Sequence, residues 1–194
     1  MIDKAFWKKR YQEGTTGWDV GQVSTPLKEY FDQLTSKKLR ILIPGAGNAH
    51  EAEYLYENGF VNVTVLDVAE EPLENMRKRM PHFPEGQLLC TDFFHHDGSY
   101  DLIIEQTFFC ALSPELRPEY ARKMAQLLVP HGKIKGLLFD FPLTSEGPPF
   151  GGCREEYYTY FLPHFENVEF QSAHNSITPR MGRELWFTAE KPKG

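Results

Sequence analysis

The sequence predicts an α/β protein with a mostly parallel sheet of seven strands, helices on both faces and an antiparallel hairpin at the C-terminal end. Short apolar runs alternate with helical patterns from residue 39 to residue 141, and the first run ends in a glycine loop. Two later apolar stretches have no helical pattern between them. Because parallel strands are joined by long crossovers, usually helices, the alternation favours a parallel sheet and the last pair favours a hairpin.

The first half of the chain contributes three predicted strands. The segment "SKKLRILIPGAG" has a polar lead, the apolar run Leu39–Ile43 and then glycines, which is typical of a buried strand that ends in a tight loop. A helix is predicted in "NAHEAEYLYENGF", which closes on Asn58 and Gly59. The second strand is "VNVTVLDV", the next helix is "EEPLENMRKRM" with its acids first and its bases last, and the short third strand is "GQLLCTD".

The second half of the chain contributes four more predicted strands. The fourth strand is predicted in "YDLIIEQ", and a helix follows in "RPEYARKMAQLLVPHG", ended by Pro130 and Gly132. The fifth strand is "KIKGLLFDF". The stretches "ENVEFQSAHNS" and "GRELWFTAEK" are separated by the turn-rich "ITPRMG", which predicts an antiparallel hairpin at a sheet edge.

Composition narrows the class of protein. The chain has 194 residues, enough for one domain, and its 41% hydrophobic and 25% charged residues are ordinary for a globular protein. It has no transmembrane-length apolar run and no signal-peptide core, so we expect a cytoplasmic protein that does not bind membranes. The three cysteines, Cys90, Cys110 and Cys153, lack C-x-x-C spacing, which indicates reduced thiols and no metal site. A net charge of −6 without a basic stripe disfavours nucleic acid and favours a small-molecule partner. A monomer is the favoured oligomeric state.

The glycine loop is the first candidate binding site. Gly45 and Gly47 stand where the first strand turns into a helix, and glycine lets backbone N–H groups approach a ligand closely. His50 occupies the position of the third glycine of a dinucleotide loop, which disfavours a pyrophosphate. Asp67 ends the second strand, where an acidic residue can bind ribose hydroxyls. The pair indicates an adenosine-type ligand, and the alternative is a plain turn glycine with a capping aspartate.

Two further strand ends carry polar and aromatic residues. Asp92 and Phe93 follow the third strand, where a carboxylate could accept the amine of an adenine and a ring could lie on its face. Glu105–Phe109 follows the fourth strand. Because doubly wound sheets bind ligands at the carboxyl ends of their strands, these positions extend the candidate site.

Several motifs together carry a resemblance to a known family. The segments "FWKKRYQEGTTGWDVGQVSTPL", "IPGAG", "LDVAEEPLENM", "CTDFF", "EQTFFCAL", "RPEYARKMAQLLVPHG" and "GPPF" resemble the thiopurine S-methyltransferase family of S-adenosylmethionine-dependent methyltransferases, and within it the halide and thiol methyltransferases. The resemblance covers nearly the whole chain. It implies a Rossmann-like class I methyltransferase fold in a single domain, residues 1–194, whose residues 1–30 cover the cofactor.

The resemblance also implies roles for particular residues. Trp7, Tyr11 and Trp18 would cover S-adenosylmethionine, although Tyr11 stands where relatives often carry tryptophan. Tryptophan and tyrosine faces attract a sulfonium cation, which is consistent with this implied role. The other implied cofactor contacts are Gly45 and Gly47 at the amino-acid end, Asp67 at the ribose, Asp92 and Phe93 at the adenine, and Glu105 with Thr107 at the methionine portion.

Some of these residues have a plainer interpretation. Phe6, Trp7 and Tyr11 fit an amphipathic helix docked on the core, whereas Trp18 lies in the loop-like "TTGWDVG" and offers no helix face. Trp18, Phe108, Phe109 and Arg180 are the candidate acceptor-binding residues. For Arg180 and Arg183 the alternative is an ordinary solvated surface. The loop "SEGPPFGG" is predicted to lie near the mouth of the site as a lid.

The predicted reaction is transfer of the methyl group of S-adenosylmethionine to a soft nucleophile, a thiol, bisulfide or halide, which leaves S-adenosylhomocysteine. Such an acceptor brings its own electron pair, so orientation and exclusion of water can supply most of the rate enhancement. No residue is assigned as catalytic. Two alternatives stay open: a nicotinamide-dependent oxidoreductase on a similar sheet, and a non-catalytic domain that binds the cofactor or a partner.

Overall fold

A computed structural model describes residues 2–193. The chain falls into two compact units, which meet in sequence at His96 and Asp97. The first unit holds four helices and three strands, in chain order α1 Lys4–Gln12, α2 Thr25–Asp32, β1 Ile41–Pro44, α3 His50–Glu57, β2 Val63–Asp67, α4 Glu70–Arg79 and β3 Leu88–Cys90.

In the first unit the strands are parallel, in the order β3-β2-β1. Strand β1 is buried along its whole length, as the apolar run predicts. Helices α3 and α4 pack against β2, so each strand–helix alternation of the sequence becomes a crossover on this sheet. Helix α2 was not predicted. It begins with Pro26 in its first turn and buries Leu27 and Phe31.

The second unit holds two helices and four strands, β4 Tyr100–Gln106, α5 Arg117–Leu127, β5 Leu128–Phe139, α6 Arg154–Phe161, β6 Glu166–Ser172 and β7 Glu184–Glu190. Strands β4 and β5 are parallel, and β7 is antiparallel to both β5 and β6, in the order β4-β5-β7-β6. The seven mostly parallel strands, the flanking helices and the antiparallel C-terminal pair confirm the predicted fold class.

The boundary between α5 and β5 corrects the sequence prediction. The helix ends at Leu127, and Pro130 and Gly132 lie inside β5 rather than at a helix end. Residues 129–132 bulge, because Tyr100 pairs with Leu128 and the next pair joins Leu102 to Lys133. Helix α6 was also not predicted. It buries Tyr157 and Phe161, four residues apart, in an aromatic core that includes Phe187.

Two further sequence predictions concern membrane-spanning segments and the number of domains. Between residues 2 and 193, none of the helices has the length and apolar character that a membrane crossing requires. The prediction of a single domain over residues 1–194 stays a prediction, and its end residues Met1 and Gly194 lie outside the described part of the chain.

Candidate cofactor and acceptor sites

The glycine loop of the first unit is built on left-handed backbone. Gly45 and Gly47 have φ angles of 56° and 54°, values that glycine adopts without strain. The Gly47 N–H donates to Oδ2 of Asp67 at 2.9 Å, and the Ala46 N–H donates to the carbonyl of Leu66 at 3.1 Å. The loop after β1 is therefore fixed by the end of β2, as the spacing between the glycines and Asp67 predicts.

Asp67 is a buried carboxyl of this unit, with 7% of its surface exposed. Its Oδ1 accepts the Ala69 N–H at 2.8 Å, in addition to the bond from Gly47. Burial raises the pKa of Asp67 to about 6, although the hydrogen bonds from Ala69 and Gly47 oppose the shift. A carboxylate has roughly four lone-pair positions, so Asp67 retains acceptor capacity for a ligand hydroxyl.

Two aromatic side chains of the N-terminal segment, Tyr11 and Trp18, lie over Gly47 of the glycine loop, and Trp7 packs on Trp18. Trp18 contacts Trp7 and Tyr11 edge-to-face, with ring centroids 5.4 and 5.7 Å apart. The Tyr11 hydroxyl lies 2.9 Å from the point where a Cβ on Gly47 would stand. Burial and the charge of Asp67 raise the pKa of Tyr11, and a hydrogen bond with Trp18 opposes the shift. We call Trp7, Tyr11 and Trp18 the aromatic cover.

Helix α1 confirms a helix at this position but not its docking on the core, and its covering of the cofactor stays a prediction. It is a regular helix, with Asp3 accepting the Phe6 N–H at 2.9 Å as its N-cap. None of its side chains is fully buried, so it does not dock as a core helix. Its rings are half-buried and reach the glycine loop through Tyr11.

After β3, Asp92 and Phe93 have local structural contacts of their own. Asp92 is exposed, and its Oδ1 accepts the Phe94 N–H at 2.8 Å, which caps the short turn Phe93–His95. Phe93 is 3% exposed and contacts Phe94 edge-to-face. Their adenine-binding roles stay predictions, since the structure assigns Asp92 a local capping bond and Phe93 a core position.

Glu105, at the end of β4 in the second unit, is completely enclosed. Its Oε1 accepts the N–H groups of Phe108 and Phe109 at 2.8 and 2.9 Å, and the Tyr120 hydroxyl donates a short hydrogen bond to Oε2. Burial raises the pKa of Glu105 to about 7, against the opposing effect of these three donors. Glu105 therefore holds the segment 107–109.

Within that segment the side chains differ in exposure. Thr107 has a φ of 58°, uncommon for a β-branched residue, and its hydroxyl donates to the carbonyl of Gln106 at 2.7 Å. Phe108 is half-buried, with its edge on the ring of Tyr120. Phe109 is 1% exposed and packs on Tyr120 and Tyr157. Thr107 and Phe108 are therefore the accessible members, and Phe109 supports them from the core.

A small cavity in the second unit lies beside Thr107. Its lining is mixed, with one hydroxyl, one thiol, one carboxyl and apolar side chains: Thr107, Cys110, Leu137, Leu138, Phe139 and Glu184. The Cys110 thiol donates to the carbonyl of Thr107 at 3.4 Å, and burial raises its pKa above the usual range, which favours the neutral thiol.

Glu184, which lines this cavity, forms a buried pair with Arg180. Arg180 Nη1 lies 3.5 Å from Oε1 of Glu184, and its guanidinium lies 5.8 Å from the ring centroid of Phe139. Burial raises the pKa of Glu184, and the charge of Arg180 opposes the shift. The solvated interpretation of Arg180 is wrong, because only 8% of its surface is exposed. Arg183 is exposed and lies over Phe141.

The proline-glycine loop is anchored at its C-terminal end by a residue that the sequence analysis missed. Arg117 is completely buried and donates to the carbonyl of Gly151 at 2.8 Å, and it pairs with Glu156 at 2.7 Å. The Phe150 N–H donates to the carbonyl of Cys110 at 2.7 Å. The loop is thus tied to the segment after Glu105, and its function as a lid stays a prediction.

Comparison with known proteins identifies the family. The family model described as thiopurine S-methyltransferase matches residues 2–187. The chain belongs to the thiopurine S-methyltransferase family. It is 30% identical over 190 residues to thiocyanate methyltransferase 1 of Brassica oleracea, covering 94% of this chain and 83% of the relative. It is 29% identical over 184 residues to the probable thiol methyltransferase 2 of Arabidopsis thaliana, covering 92% and 81%.

Solved structures agree on the fold. The Burkholderia thailandensis 1,6-didemethyltoxoflavin-N1-methyltransferase, solved with bound S-adenosylhomocysteine, is similar at a TM-score of 0.72 and 18% identity, covering 98% of this chain and 87% of that one. A TehB-like S-adenosylmethionine-dependent methyltransferase from Corynebacterium glutamicum has a TM-score of 0.64 at 14% identity, covering 97% of each chain. This member of the family is a methyltransferase, so the oxidoreductase alternative is not supported, and its cofactor is S-adenosylmethionine.

The first unit of this methyltransferase fits that cofactor. The glycine loop leaves no room for a Cβ on Gly47 beneath Tyr11, so glycine is what allows the aromatic cover to close on the loop. Asp67 offers carboxylate oxygens at the end of β2, and Trp7, Tyr11 and Trp18 offer the ring faces that attract a sulfonium. When bound, S-adenosylmethionine supplies a methyl group on a positively charged sulfur.

Sequence reasoning missed four other residues of these sites. Arg117 contacts Gly151, and Glu184 lines the cavity beside Thr107. Each lies far in sequence from its partner, and no local motif marks it. Asp19 and His50 are joined across 31 residues of sequence by a contact of 2.9 Å between Oδ1 and Nε2. The one available signal was His50 itself, a polar residue where a dinucleotide loop has glycine.

Proposed function

We propose that this methyltransferase transfers the methyl group of S-adenosylmethionine to a small soft nucleophile, a thiol, bisulfide or halide. In the overall reaction the acceptor forms a bond to the methyl carbon while the bond from that carbon to the sulfonium sulfur breaks. S-adenosylhomocysteine is the product that leaves. The similarity to relatives named thiol and thiocyanate methyltransferases supports this acceptor class.

The observation that carries the proposal is the chemistry of the segment after β4. Thr107 and Phe108, its accessible members, carry no group that takes up a proton near neutral pH. The Glu105 carboxyl is enclosed and engaged with Phe108, Phe109 and Tyr120. A nucleophile that arrives already ionised needs only orientation and a dry surface, which these residues supply.

The acceptor-binding residues in this proposal are Thr107, with the cavity beside it, and Phe108 in the second unit, and Trp18 in the first unit. Arg180 supplies positive charge that favours an anionic acceptor, and Glu184 balances that charge. Phe109 contributes through packing, since it is buried against Tyr120. Action as a monomer in the cytoplasm belongs to the same proposal.

Rates measured with iodide and with several thiols, at subsaturating acceptor and across pH, test the proposal. With iodide the rate is expected to stay nearly flat while the protein is folded, because iodide has no proton to lose. With thiols the midpoint is expected to follow the pKa of each thiol. Absence of turnover with bisulfide, iodide, thiocyanate and thiopurine would support the non-catalytic alternative.

A midpoint that stays the same for thiols of different acidity would contradict the orientation mechanism and indicate a general base. Glu184 is the carboxyl that lines the cavity beside Thr107, so Glu184→Gln would then abolish that fixed midpoint. Under the proposed mechanism the same variant leaves every thiol midpoint where it is in the native protein.

A further inference from the structure

Asp19 joins the loop that carries Trp18 to the loop that follows Gly47. Its Oδ1 lies 2.9 Å from Nε2 of His50 and also accepts the Gly21 N–H at 2.8 Å. Its Oδ2 accepts a short hydrogen bond from Nδ2 of Asn48. The hydrogen bond with His50 lowers the pKa of Asp19 below its usual range, so the carboxyl is ionised and Nε2 of His50 carries the proton.

The residues that hold Asp19 are themselves fixed by the helices of the first unit. Asn48 accepts at Oδ1 from Nδ2 of Asn75 at 3.0 Å, and Arg79 donates to its carbonyl. Arg79 also bonds Glu53 at 3.0 Å, and Nδ1 of His50 lies 3.8 Å from the same carboxyl. Asp19 is thus bound to a network that α3 and α4 both support, not to a freely moving side chain.

This arrangement explains why His50 stands at the position of the third glycine. In dinucleotide loops the third glycine permits close packing of the helix against the strand. Here the same position carries an imidazole that reaches Asp19, and Asn48 beside it does the same. A side chain at the position of the third glycine is thus used to bind the N-terminal segment.

Holding Asp19 fixes the aromatic cover, because Trp18 is the adjacent residue and the central ring. Trp18 contacts both Trp7 and Tyr11, and the Arg10 guanidinium lies 5.4 Å from its ring centroid. A shift of Trp18 would therefore remove the support of Tyr11 above Gly47.

We propose that Asp19, Asn48 and His50 are positioning residues that hold the aromatic cover over the glycine loop and thereby set the affinity for the adenosyl cofactor. The inference rests on the proposed contact between the aromatic cover and the cofactor. A second connection between the same regions, from the Ser24 N–H to Glu51 at 3.3 Å, keeps α2 on α3 when the Asp19 contacts are removed.

Calorimetric titration with S-adenosylhomocysteine tests the proposal without measuring turnover. Asp19→Ala and His50→Ala are each expected to raise the dissociation constant by about 10-fold to 100-fold. The two residues act through one contact. The dissociation constant of the double variant should therefore exceed the larger of the two single-variant values by no more than about 3-fold. The control is Asp97→Asn, because the Asp97 side chain is fully exposed. This variant should bind S-adenosylhomocysteine like the native protein.

A conservative variant separates positioning from folding. His50→Gln keeps a side-chain N–H for Asp19 and is expected to bind S-adenosylhomocysteine within about 3-fold of the native protein, whereas His50→Ala is not. Trypsin gives an independent measurement, since Lys8, Lys9 and Arg10 lie in α1. Saturating S-adenosylhomocysteine should protect these sites in the native protein and in His50→Gln, and should protect them less in Asp19→Ala at the same fractional saturation.

Affinities within about 3-fold of the native value in Asp19→Ala and His50→Ala would overturn the inference and leave the proposed function intact. Strictly additive losses in the double variant would overturn it as well. If Asp19→Ala does not fold, the comparison of His50→Ala with His50→Gln decides, and equal affinities of these two variants refute the inference. Failure of the native protein to bind S-adenosylhomocysteine would instead refute the proposed function.

Discussion

Asp67 in the first unit and Glu105 in the second follow the same pattern, an acidic residue after a buried apolar run, and they end in different chemical situations. Each accepts two backbone N–H groups from the loops at its strand end. Asp67 faces the aromatic cover and keeps 7% of its surface exposed. Glu105 has no exposed surface and takes a further hydrogen bond from Tyr120.

The comparison teaches that the position of an acid at a strand end does not determine its role. Asp67 retains acceptor capacity on its carboxylate oxygens and a small exposed surface, which is consistent with the proposed direct binding of a ligand hydroxyl. Glu105 is enclosed, so it influences an acceptor only through the backbone of Phe108 and Phe109, which it holds. The implied contact between Glu105 and the methionine portion of the cofactor stays a prediction, and holding the loop is what the structure describes.

The largest expected difference between the two units is the effect of Glu105 on the pH dependence of stability. Burial raises its pKa from 4.5 to about 7 in the folded protein. The folded state therefore binds this proton more tightly, so the contribution to stability is fully present below pH 4.5 and is lost as the pH rises through about 7. Relative to Glu105→Gln, the native protein should lose roughly 3 kcal/mol of unfolding free energy across this interval, at about 1.4 kcal/mol per pKa unit.

Urea unfolding of both proteins between pH 4 and pH 8 measures this difference, and Glu115→Gln, on an exposed turn, is the control. Parallel pH profiles for the native protein and Glu105→Gln would contradict the proposed proton binding. The same comparison with Asp67→Asn should show a difference at lower pH, because the pKa of Asp67 is raised from 3.8 to about 6.

The second prediction tests direct binding. Asp67→Asn removes charge-assisted hydrogen bonds to a ligand hydroxyl, each worth about 1.5–3 kcal/mol, so the dissociation constant for S-adenosylhomocysteine should rise by about 10-fold to 100-fold. Glu105→Gln should change it by less than about 3-fold. Calorimetry on both variants provides the measurement, and equal losses would show that the two acids do not differ in role.

The third and smallest effect concerns the loops that the two acids hold. Gly47→Ala places a Cβ at a φ of 54° and 2.9 Å from the Tyr11 hydroxyl, and left-handed backbone costs a residue with a side chain about 1–2 kcal/mol. Thr107 already carries a side chain at a φ of 58°, so Thr107→Ala should cost less than about 1 kcal/mol.

Thermal unfolding of the two variants gives the comparison. Adding Tyr11→Phe to Gly47→Ala should recover part of the loss, because the hydroxyl that the new methyl group meets is then absent. A loss at Thr107→Ala as large as that at Gly47→Ala would show that glycine has no special value in the first loop.

The sequence alone determined the features that depend on neighbouring residues. Apolar runs and helical spacing predicted the strand order along the chain and the C-terminal hairpin, because burial of one face imposes a local period. The glycines before α3 and the acid that ends β2 predicted a loop held by Asp67, since both stand at the same edge of adjacent parallel strands. The family motifs then led to the methyltransferase family that the comparisons confirm.

The tertiary structure decided the features that join residues distant in sequence. The sequence does not reveal that β7 lies between β5 and β6, that Arg117 binds Gly151, or that Arg180 is buried with Glu184. It shows Asp19 and His50 as two polar residues, and only the fold brings them within 2.9 Å. The physical reason is that side-chain pairing has no period along the chain, so it is fixed by which elements pack together and not by the pattern within any one of them.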